Sequence, residues 1–475
     1  MGEVSVLETA LRQVRVATAM VFGRRLNVRA VERLVADALV TLEEFGSLGD
    51  DVDELADGPF TDPAERRDLQ NRALQRTVRR LAIRSPFYRE RLAGVDPAGI
   101  TTETLTRIPV TRKADLIARP ADFLCSDPYL VTQTTGTTGA PVRIWLSRYE
   151  MELWPALIAL SLVLRGDLGP GDRMQINLSS RATAAVQEDV EVCRLVNAAC
   201  HVVGQVPPEE SVEHLLGRSG PRPTVLTGNP SYLARLVGVA RERGYGPQDF
   251  GLRAVYAGGE MLSRNLAAAF RETFGARTVG DSFGMTELLP VSGRTCTHHH
   301  LHIDPNMGYT EVLDLRTGEA AGPGRLGELT VTPYFPYREC MPVLRYNTGD
   351  VVRTLHGEPA CELASVPAVS HILGKAGQLY RTADAVVTPR DIVEALDGTP
   401  GLPWPLRHRA EVTARGRLRI EVASRELGAA EVTERLRAEG IDADVSVLPL
   451  DDTEAALRFP LRCDLLEHTF TRSQA

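Results

Sequence analysis

Thr132-Gln133-Thr134-Thr135-Gly136-Thr137-Thr138-Gly139-Ala140-Pro141 stands between two strand-like runs, PYLV (128–131) and VRIWL (142–146). Five threonines and two glycines in one loop offer hydroxyls and backbone N–H groups to an anion, and glycine lets the backbone come close to it. Such a loop reads as a phosphate cradle or as a plain hairpin connection. It is not a Walker loop, because the lysine that should follow the glycine is absent. Further along, Gly258-Gly259-Glu260 ends one apolar strand, and Asp281-Ser282-Phe283-Gly284-Met285-Thr286-Glu287 follows another. Glycines and carboxylates at the carboxyl ends of parallel strands are where α/β sheets bind ligands. Arg345-Tyr346-Asn347-Thr348-Gly349-Asp350 then sets an aspartate at a turn, where it could accept two ribose hydroxyls. Singly, each of these elements reads equally as a capped turn.

The pattern around them supplies the sheet. A helical run from about residue 64 leads to Pro86. Strand-like and helical runs then alternate, as in VLTGNP, SYLARLVGVARERG, LRAVYAGGE, RNLAAAFRETFG and TVGDSFGMTE. This alternation predicts a parallel-sheet α/β architecture. Short strands with turns follow between 309 and 355, and the last hundred residues alternate again in the manner of a small α+β domain. At the other end, Leu7, Leu11, Val14, Ala17 and Val21, and then Val31, Leu34, Val35, Ala38 and Leu42, recur at helical spacing. Residues 1–47 therefore read as two amphipathic helices, and the acidic stretch 46–63 as a linker. The expected division is a helical extension and linker (1–60), a large ligand-binding domain (61–373) and a small domain (374–475).

With 43% apolar and 24% charged residues, the 475-residue chain has material for a sizeable core. A net charge of −8 argues against nucleic acid or an anionic membrane as the main partner. No apolar run approaches the roughly 20 residues of a membrane span, the amino terminus lacks a signal-peptide pattern, and seven scattered cysteines read as reduced thiols. A soluble cytoplasmic protein is the expectation. Only two of the 54 basic residues are lysines, Lys113 and Lys375. Chemistry that needs a primary amine has two positions available.

Together and in this order, the motifs resemble the adenylate-forming enzyme superfamily, and within it the phenylacetate-CoA ligase-like branch. TTGTTGAP (134–141), SFGMTE (282–287), RYNTGD (345–350), SPFYRERL (85–92) and PVTRKADL (109–116) carry the resemblance, which runs from about residue 64 to the carboxyl terminus. It implies a large N-terminal α/β domain, a small mobile C-terminal α+β domain, and attack of a carboxylate on the α-phosphate of ATP to give an acyl-adenylate and pyrophosphate. By position it implies that Thr134, Thr135, Gly136, Thr137, Thr138 and Gly139 hold the leaving pyrophosphate. Gly259 and Glu260 would line the adenine pocket with Phe283 against the base, and Asp281, Ser282, Gly284 and Met285 would complete the nucleotide site. Thr286 would touch the α-phosphate, Glu287 would hold Mg²⁺, Asp350 would bind the ribose, and Lys375 would reach ribose or phosphates. In-line displacement at phosphorus asks the protein mainly to position groups and neutralise charge, and Mg²⁺ suits one or two carboxylates plus phosphate oxygens.

The sequence also departs from that pattern. Ala140 stands where family members carry a phosphate-loop lysine. The joining segment Gly374-Lys375-Ala376-Gly377-Gln378 keeps a cation but lacks the usual acidic hinge, although a glycine there could still pivot. The family's C-terminal catalytic lysine falls, by its spacing to Asp464, on Arg458, which keeps the charge with a different reach and a forked geometry. Lys113 reads as a surface cation at a helix start. In Cys296-Thr297-His298-His299-His300-Leu301-His302, a thiol and four histidines crowd into seven residues. Some proteins of this branch hold a structural zinc, and the matching positions here are Cys296, His302 and Cys361. The second late cysteine of those proteins falls on Leu363, so a fourth ligand must come from Cys340 or from one of His298 to His300; zinc takes such Cys/His sets tetrahedrally. The alternative is a surface histidine loop beside buried thiols.

The expected activity is ATP-dependent activation of an aryl or arylacetic-type carboxylic acid, followed by transfer to CoA or an amine. The apolar helix WPALIALSLVLRG (154–166), Tyr256 and Ser282 mark the acid pocket. Two other functions fit the same residues: a diazotase that joins nitrite to an aryl amine at the expense of ATP in natural-product biosynthesis, and a non-catalytic nucleotide-binding partner protein. Retained Glu287 and Asp350 count against the last. The N-terminal helices could be a homodimer contact or a cover for one edge of the large domain.

Overall fold

A computed structural model describes residues 6–46, 48, 62–134, 141–179, 182–461 and 463–464. The two N-terminal helices are present as α1 (Val6–Val21) and α2 (Val28–Phe45). Asn27 caps α2 by accepting the Ala30 N–H at 3.3 Å, and Gly46 in the left-handed region ends it. Most of the 46–63 linker lies outside the described residues. The next helix, α3 (Pro63–Arg84), starts on Asp62, whose carboxylate accepts the N–H groups of Ala64 and Glu65, and its stripe of Leu74, Val78 and Leu81 is buried. Short helices α4 (Pro86–Arg91) and α5 (Lys113–Ala118) follow. The hairpin of β1 (Leu130–Gln133) and β2 (Arg143–Leu146) flanks the Thr/Gly loop.

The main sheet has eight strands in the order β13 (Ala368–Ser370), β9 (His300–Ile303), β8 (Ser292–Thr295), β7 (Thr278–Gly284), β6 (Ala254–Gly258), β5 (Val225–Gly228), β3 (Arg173–Asn177) and β4 (Ala199–Val202). From β4 to β7 the neighbours are parallel, whereas β8, β9 and β13 extend the sheet antiparallel, so the sheet is mixed rather than wholly parallel. Its helices are α6 (Arg148–Leu164), α7 (Thr183–Leu195), α8 (Pro208–Leu215), α9 (Pro230–Glu242) and α10 (Arg264–Phe274). Adjacent residues of a strand face opposite ways. Val225 and Ala254 accordingly pack with Val35, Leu39, Ala159 and Val163, while Leu226 and Val255 pack with Leu233, Val237, Leu266 and Phe270. Burial on both faces explains why these strands read as apolar runs without alternation. It also makes α2 a layer of the fold, since its Val35 and Leu39 share a core with α6.

A second, antiparallel sheet runs β10 (Gly308–Asp314), β11 (Leu326–Pro333), β12 (Tyr346–Arg353) and β14 (Gly374–Lys375). Two expectations are corrected here. Asp281 to Gly284 lie inside β7 rather than after it, and the RYNTGD segment is the start of β12 rather than a turn. The register explains the second: Asn347 faces Thr330 and Val351 faces Glu328, so Thr348, Gly349 and Asp350 together oppose only Leu329. This bulge needs a left-handed residue, and Gly349 has φ +71°.

The C-terminal part contains β15 (Tyr380–Arg381), β16 (Val386–Val387), α11 (Pro389–Leu396), β17 (His408–Val412), β18 (Leu418–Ala423), α12 (Ala429–Ala438), β19 (Ala443–Leu448) and α13 (Asp452–Arg458). Strands β17, β18 and β19 form a sheet whose Leu418, Ile420 and Val422 share a separate core with Ile392, Leu396, Val432 and Leu436. This part docks on α9 and α10. Asn265 Nδ2 donates to Asp397 O at 2.6 Å, Arg390 donates to Leu262 O at 2.9 Å, and Cys463 lies in the core formed by α9 and α10.

At this contact the Ser263 hydroxyl donates to the Asp397 carboxylate, which burial pushes up to about 6. A carboxyl raised in the folded state contributes stability that is fully present below its unfolded value and is lost as pH rises through the folded value. Asp397→Asn should therefore melt above wild type near pH 8 by an amount equivalent to about 1–3 kcal/mol, with the gain gone below about pH 4. A pH-independent difference in thermal melts would contradict this assignment.

Candidate active site

Glu287 lies just past the end of β7 and is 4% exposed. Tyr346, the first residue of β12, donates its phenol O–H to Oε1 at 3.3 Å. Burial pushes this carboxyl above its ordinary value, and the charges of Lys113 and Lys375 oppose the rise. Both lysines of the chain therefore act on one carboxylate. Lys375 sits in β14 opposite Asp350 of β12. Its Nζ is 2.8 Å from Asp350 Oδ1 and donates to Thr348 O at 3.1 Å. Asp350, 7% exposed, is further held by its own N–H, which donates to Thr348 Oγ1 at 2.9 Å.

Lys113 arrives from the start of α5. Thr111 forms a parallel bridge with Tyr346: its N–H donates to Arg345 O at 2.9 Å, and its carbonyl accepts the Asn347 N–H at 2.9 Å. Arg345, itself buried, pairs with Glu311 at 2.9 Å and donates to Thr106 O at 3.1 Å, which fixes the same junction. Lys113 is thus half-buried rather than a fully exposed surface cation, and its charge bears on Glu287. No local signal in PVTRKADL marks this; it follows from pairing with a strand more than 230 residues away.

On the nucleotide side, Gly259 is left-handed at φ +78°, and Glu260 Oε2 accepts the Ser231 N–H at 2.9 Å at the start of α9. Asn229, not singled out from sequence, donates to Gly258 O at 2.9 Å and so ties β6 to α9. Ser282 is exposed and donates to Ala257 O at 3.3 Å, and a Cβ at Gly258 would lie 2.9 Å from its Oγ. Phe283, Met285 and Thr286 are half-buried and Gly284 is exposed. Asp281 does not join Ser282, because adjacent strand residues face opposite sides. It accepts from Thr295 Oγ1 at 3.2 Å, lies 4.0 Å from His371 Nε2, and is pushed up to about 6 mainly by burial.

Thr134 closes the base of the Thr/Gly loop: its N–H donates to Val142 O at 3.0 Å, and its Oγ1 accepts the Val142 N–H at 2.9 Å. Thr135, Gly136, Thr137, Thr138, Gly139 and Ala140 lie outside the described residues. Arg458 is not brought to Glu287. It is half-exposed on α13, with Nη2 at 3.3 Å from the carboxylate of Glu421. In the acid region, Tyr256 donates to Asp167 O at 3.1 Å, and its ring lies where a Cβ on Gly280 would come within 2.5 Å. Trp154 is a core residue, its indole N–H bound to Tyr337 O at 3.1 Å.

The metal-ligand candidates converge in part. Ligand atoms of Cys296, His300, His302 and Cys361 all lie within 4.8 Å of one another. His300 and His302 share a face of β9, and a turn with His299 at φ +63° brings Cys296 back, its sulfur accepting the His300 N–H at 3.3 Å. Cys361 Sγ is 3.3 Å from His302 Nε2, and His302 Nδ1 meets Val366 O at 2.9 Å. That carbonyl fixes the tautomer that leaves Nε2 free to ligate. His300 Nδ1 is buried without a hydrogen-bond partner among the described residues. Two thiols and two imidazoles, one of them with an orphaned buried nitrogen, fit zinc. Cys340 is excluded from this set: it is buried elsewhere, its thiol on Ser126 O at 3.6 Å and its N–H on Glu150. Purified protein should carry about one zinc per chain, and His300→Ala should lose the metal and lower the melting temperature. Metal analysis finding zinc far below that ratio would remove the assignment.

The AMP-binding enzyme family matches residues 74–334 of the chain. A phenylacetate-coenzyme A ligase of Thermus thermophilus is 28% identical over 394 residues, covering 80% of this chain and 86% of that protein. One from Pseudomonas putida is 26% identical over 319 residues, covering 64% and 71% respectively. Among solved structures, 2-hydroxyisobutyryl-CoA ligase in its postadenylation state superposes with a TM-score of 0.71 at 22% identity, over 87% of this chain and 93% of that one. Anthranilate CoA ligase AuaEII with anthranoyl-AMP gives 0.52 at 14% identity, over 68% and 64%. At those identities the structural likeness concerns the fold alone, whereas the family match spans more than half the chain and includes β7, Glu287 and the Thr/Gly loop. The chain belongs to the AMP-binding enzyme family and is an AMP-forming ligase of its phenylacetate-CoA ligase-like branch.

Proposed function

We propose that the protein activates an aryl or arylacetic-type carboxylic acid with ATP and passes the acyl group to CoA or an amine. The observation that carries this reading is buried Glu287 hydrogen-bonded by Tyr346, under the charges of Lys113 and Lys375, with Asp350 held beside Lys375. In the first step a carboxylate oxygen attacks the α-phosphorus, an acyl–phosphate bond forms, and the bond to pyrophosphate breaks, with pyrophosphate taking the electron pair. In the second, a thiolate or amine attacks the acyl carbon and AMP leaves; the nucleophile's proton goes to solvent.

The residues divide this work by charge. Lys113, whose charge bears on the Glu287 carboxylate, would meet phosphate oxygens in place of the cation absent at Ala140. Lys375 bridges Asp350 and Thr348, where ribose hydroxyls would be accepted by the carboxylate. A lone buried carboxylate without thiol or imidazole company fits a hard cation, and Mg²⁺ bound there would neutralise phosphate charge. The Thr/Gly loop 134–139 would hold the pyrophosphate. Tyr256, filling the space over Gly280, would form one wall of the acid pocket.

The second half-reaction calls for the part beyond β14 to turn as a unit. Two features leave room for a different acceptor or oxyanion: the absent hinge carboxylate, and Arg458 paired with Glu421.

The deciding experiment measures AMP release from ATP with a panel of aryl acids, with and without CoA, and with nitrite plus an aryl amine. Acid-dependent AMP release is the expected result, and Glu287→Ala should reduce it by about a thousandfold or more. AMP only with nitrite would replace this reading with the diazotase, and no AMP under any condition would favour a non-catalytic nucleotide-binding protein.

A further inference from the structure

The family match begins at residue 74, so the N-terminal helices lie outside it, yet they contribute a charge to the site's support. In the turn between α1 and α2, Arg25 Nε donates to Glu339 Oε2 at 2.9 Å, and its Nη2 bonds the same carboxylate. The guanidinium lies 4.6 Å over the Tyr149 ring, and the adjoining Leu26 N–H donates to the Tyr149 hydroxyl at 2.9 Å. Glu339 is 3% exposed, and its neighbours are more deeply buried still. Arg338 has no exposure; it donates to Met341 O at 3.1 Å, sits 3.8 Å from Glu150 Oε1 and lies 5.3 Å over the Trp154 ring. Glu150, also fully buried in the first turn of α6, accepts the N–H groups of Glu339, Cys340 and Ser147 at 2.7, 3.1 and 2.6 Å.

The charge count follows from these contacts. The Cys340 thiol and Tyr149 phenol, both beside this cluster, are each pushed up to about 12 by burial and stay neutral. The buried set is then two carboxylates, Glu150 and Glu339, against one guanidinium, Arg338. These three side chains balance only when Arg25 is included, while Glu287 bears on Arg338 from outside the cluster. A carboxylate left buried without its partner is far more unfavourable than the pair's own worth suggests. The segment involved, 337–341, runs directly into Tyr346, which touches Glu287, and then into Asp350, which holds Lys375.

We propose that Arg25 is a positioning residue: by balancing the Glu339–Arg338–Glu150 network it keeps the 337–350 segment placed, and with it Tyr346 against Glu287 and Asp350 against Lys375. The N-terminal extension is on this account a required part of the nucleotide site. The inference rests on the nucleotide reading of that site, and the test separates the two.

The test compares wild type, Arg25→Ala, Glu339→Gln and the double variant in the full chain, by calorimetric titration with MgATP and by thermal melting. Arg25→Ala should weaken MgATP binding about tenfold or more near pH 8 and lower the melting temperature. Arg25→Ala/Glu339→Gln, which restores the charge count without restoring the contact, should recover binding to within about threefold of wild type. Wild-type binding and melting in Arg25→Ala would overturn the proposal. So would a deficit that Glu339→Gln fails to rescue, or a double variant that, like a misfolded Arg25→Ala, does not fold. If wild type itself binds no MgATP, the nucleotide reading fails, while rescue of melting by Glu339→Gln still decides the charge balance.

Discussion

One buried carboxylate sets the terms for much of this molecule. Glu287 is ionisable, almost inaccessible and placed where a parallel strand ends, so its charge must be met from several directions. Tyr346 meets it from β12 of the second sheet, the charge of Lys375 bears on it from β14 of the same sheet, and that of Lys113 from a helix that precedes the sheet in sequence. The bulge at Thr348–Asp350, the Thr111 bridge and the β12–β14 pairing all serve to bring these groups to one point. If Glu287 were neutral or solvated, none of these contacts would need to converge there.

The scarcity of lysine acquires a physical meaning in this setting. The buried structural cations are arginines, as in Arg345 with Glu311, Arg390 with Glu394, Arg407 with Asp464 and Arg338 with Glu150. Arginine keeps its proton when buried and fills several acceptors at fixed angles, which suits it to bracing. The two ammonium groups are both found at the site, where a compact charge on a flexible stem can follow a phosphate as it moves. The Cys/His cluster belongs to the bracing side of this division: it ties the turn before β9 to the segment before β13, the strand that leads through His371 to Gly374 and Lys375.

The α/β architecture, the boundaries of most helices and the Thr/Gly loop between two strands were legible because each rests on local patterning, namely apolar period, caps and glycines. Glu287 and Asp350 were legible as carboxylates in motifs. What escaped was long-range pairing. Lys113 looked like a surface residue because its burial comes from Thr111 meeting Tyr346, and Arg25 gave no signal because its partner is 314 residues away. Asp281 was placed with the nucleotide motif, yet strand alternation turns its side chain toward Thr295 and His371. Arg458 occupied the position expected of a catalytic cation, but its carboxylate contact is Glu421. His300 was one of several candidate fourth ligands, and only the β9 geometry selects it over Cys340.

On the proposed function, the phosphate-facing charge would come from Lys113 and not from Arg458. Exchange of labelled pyrophosphate into ATP, driven by whichever acid gives AMP, isolates the adenylation half-reaction. On this account Lys113→Ala loses exchange by about a hundredfold or more, while Arg458→Ala stays within about threefold of wild type. Exchange that survives in Lys113→Ala and collapses in Arg458→Ala would contradict it.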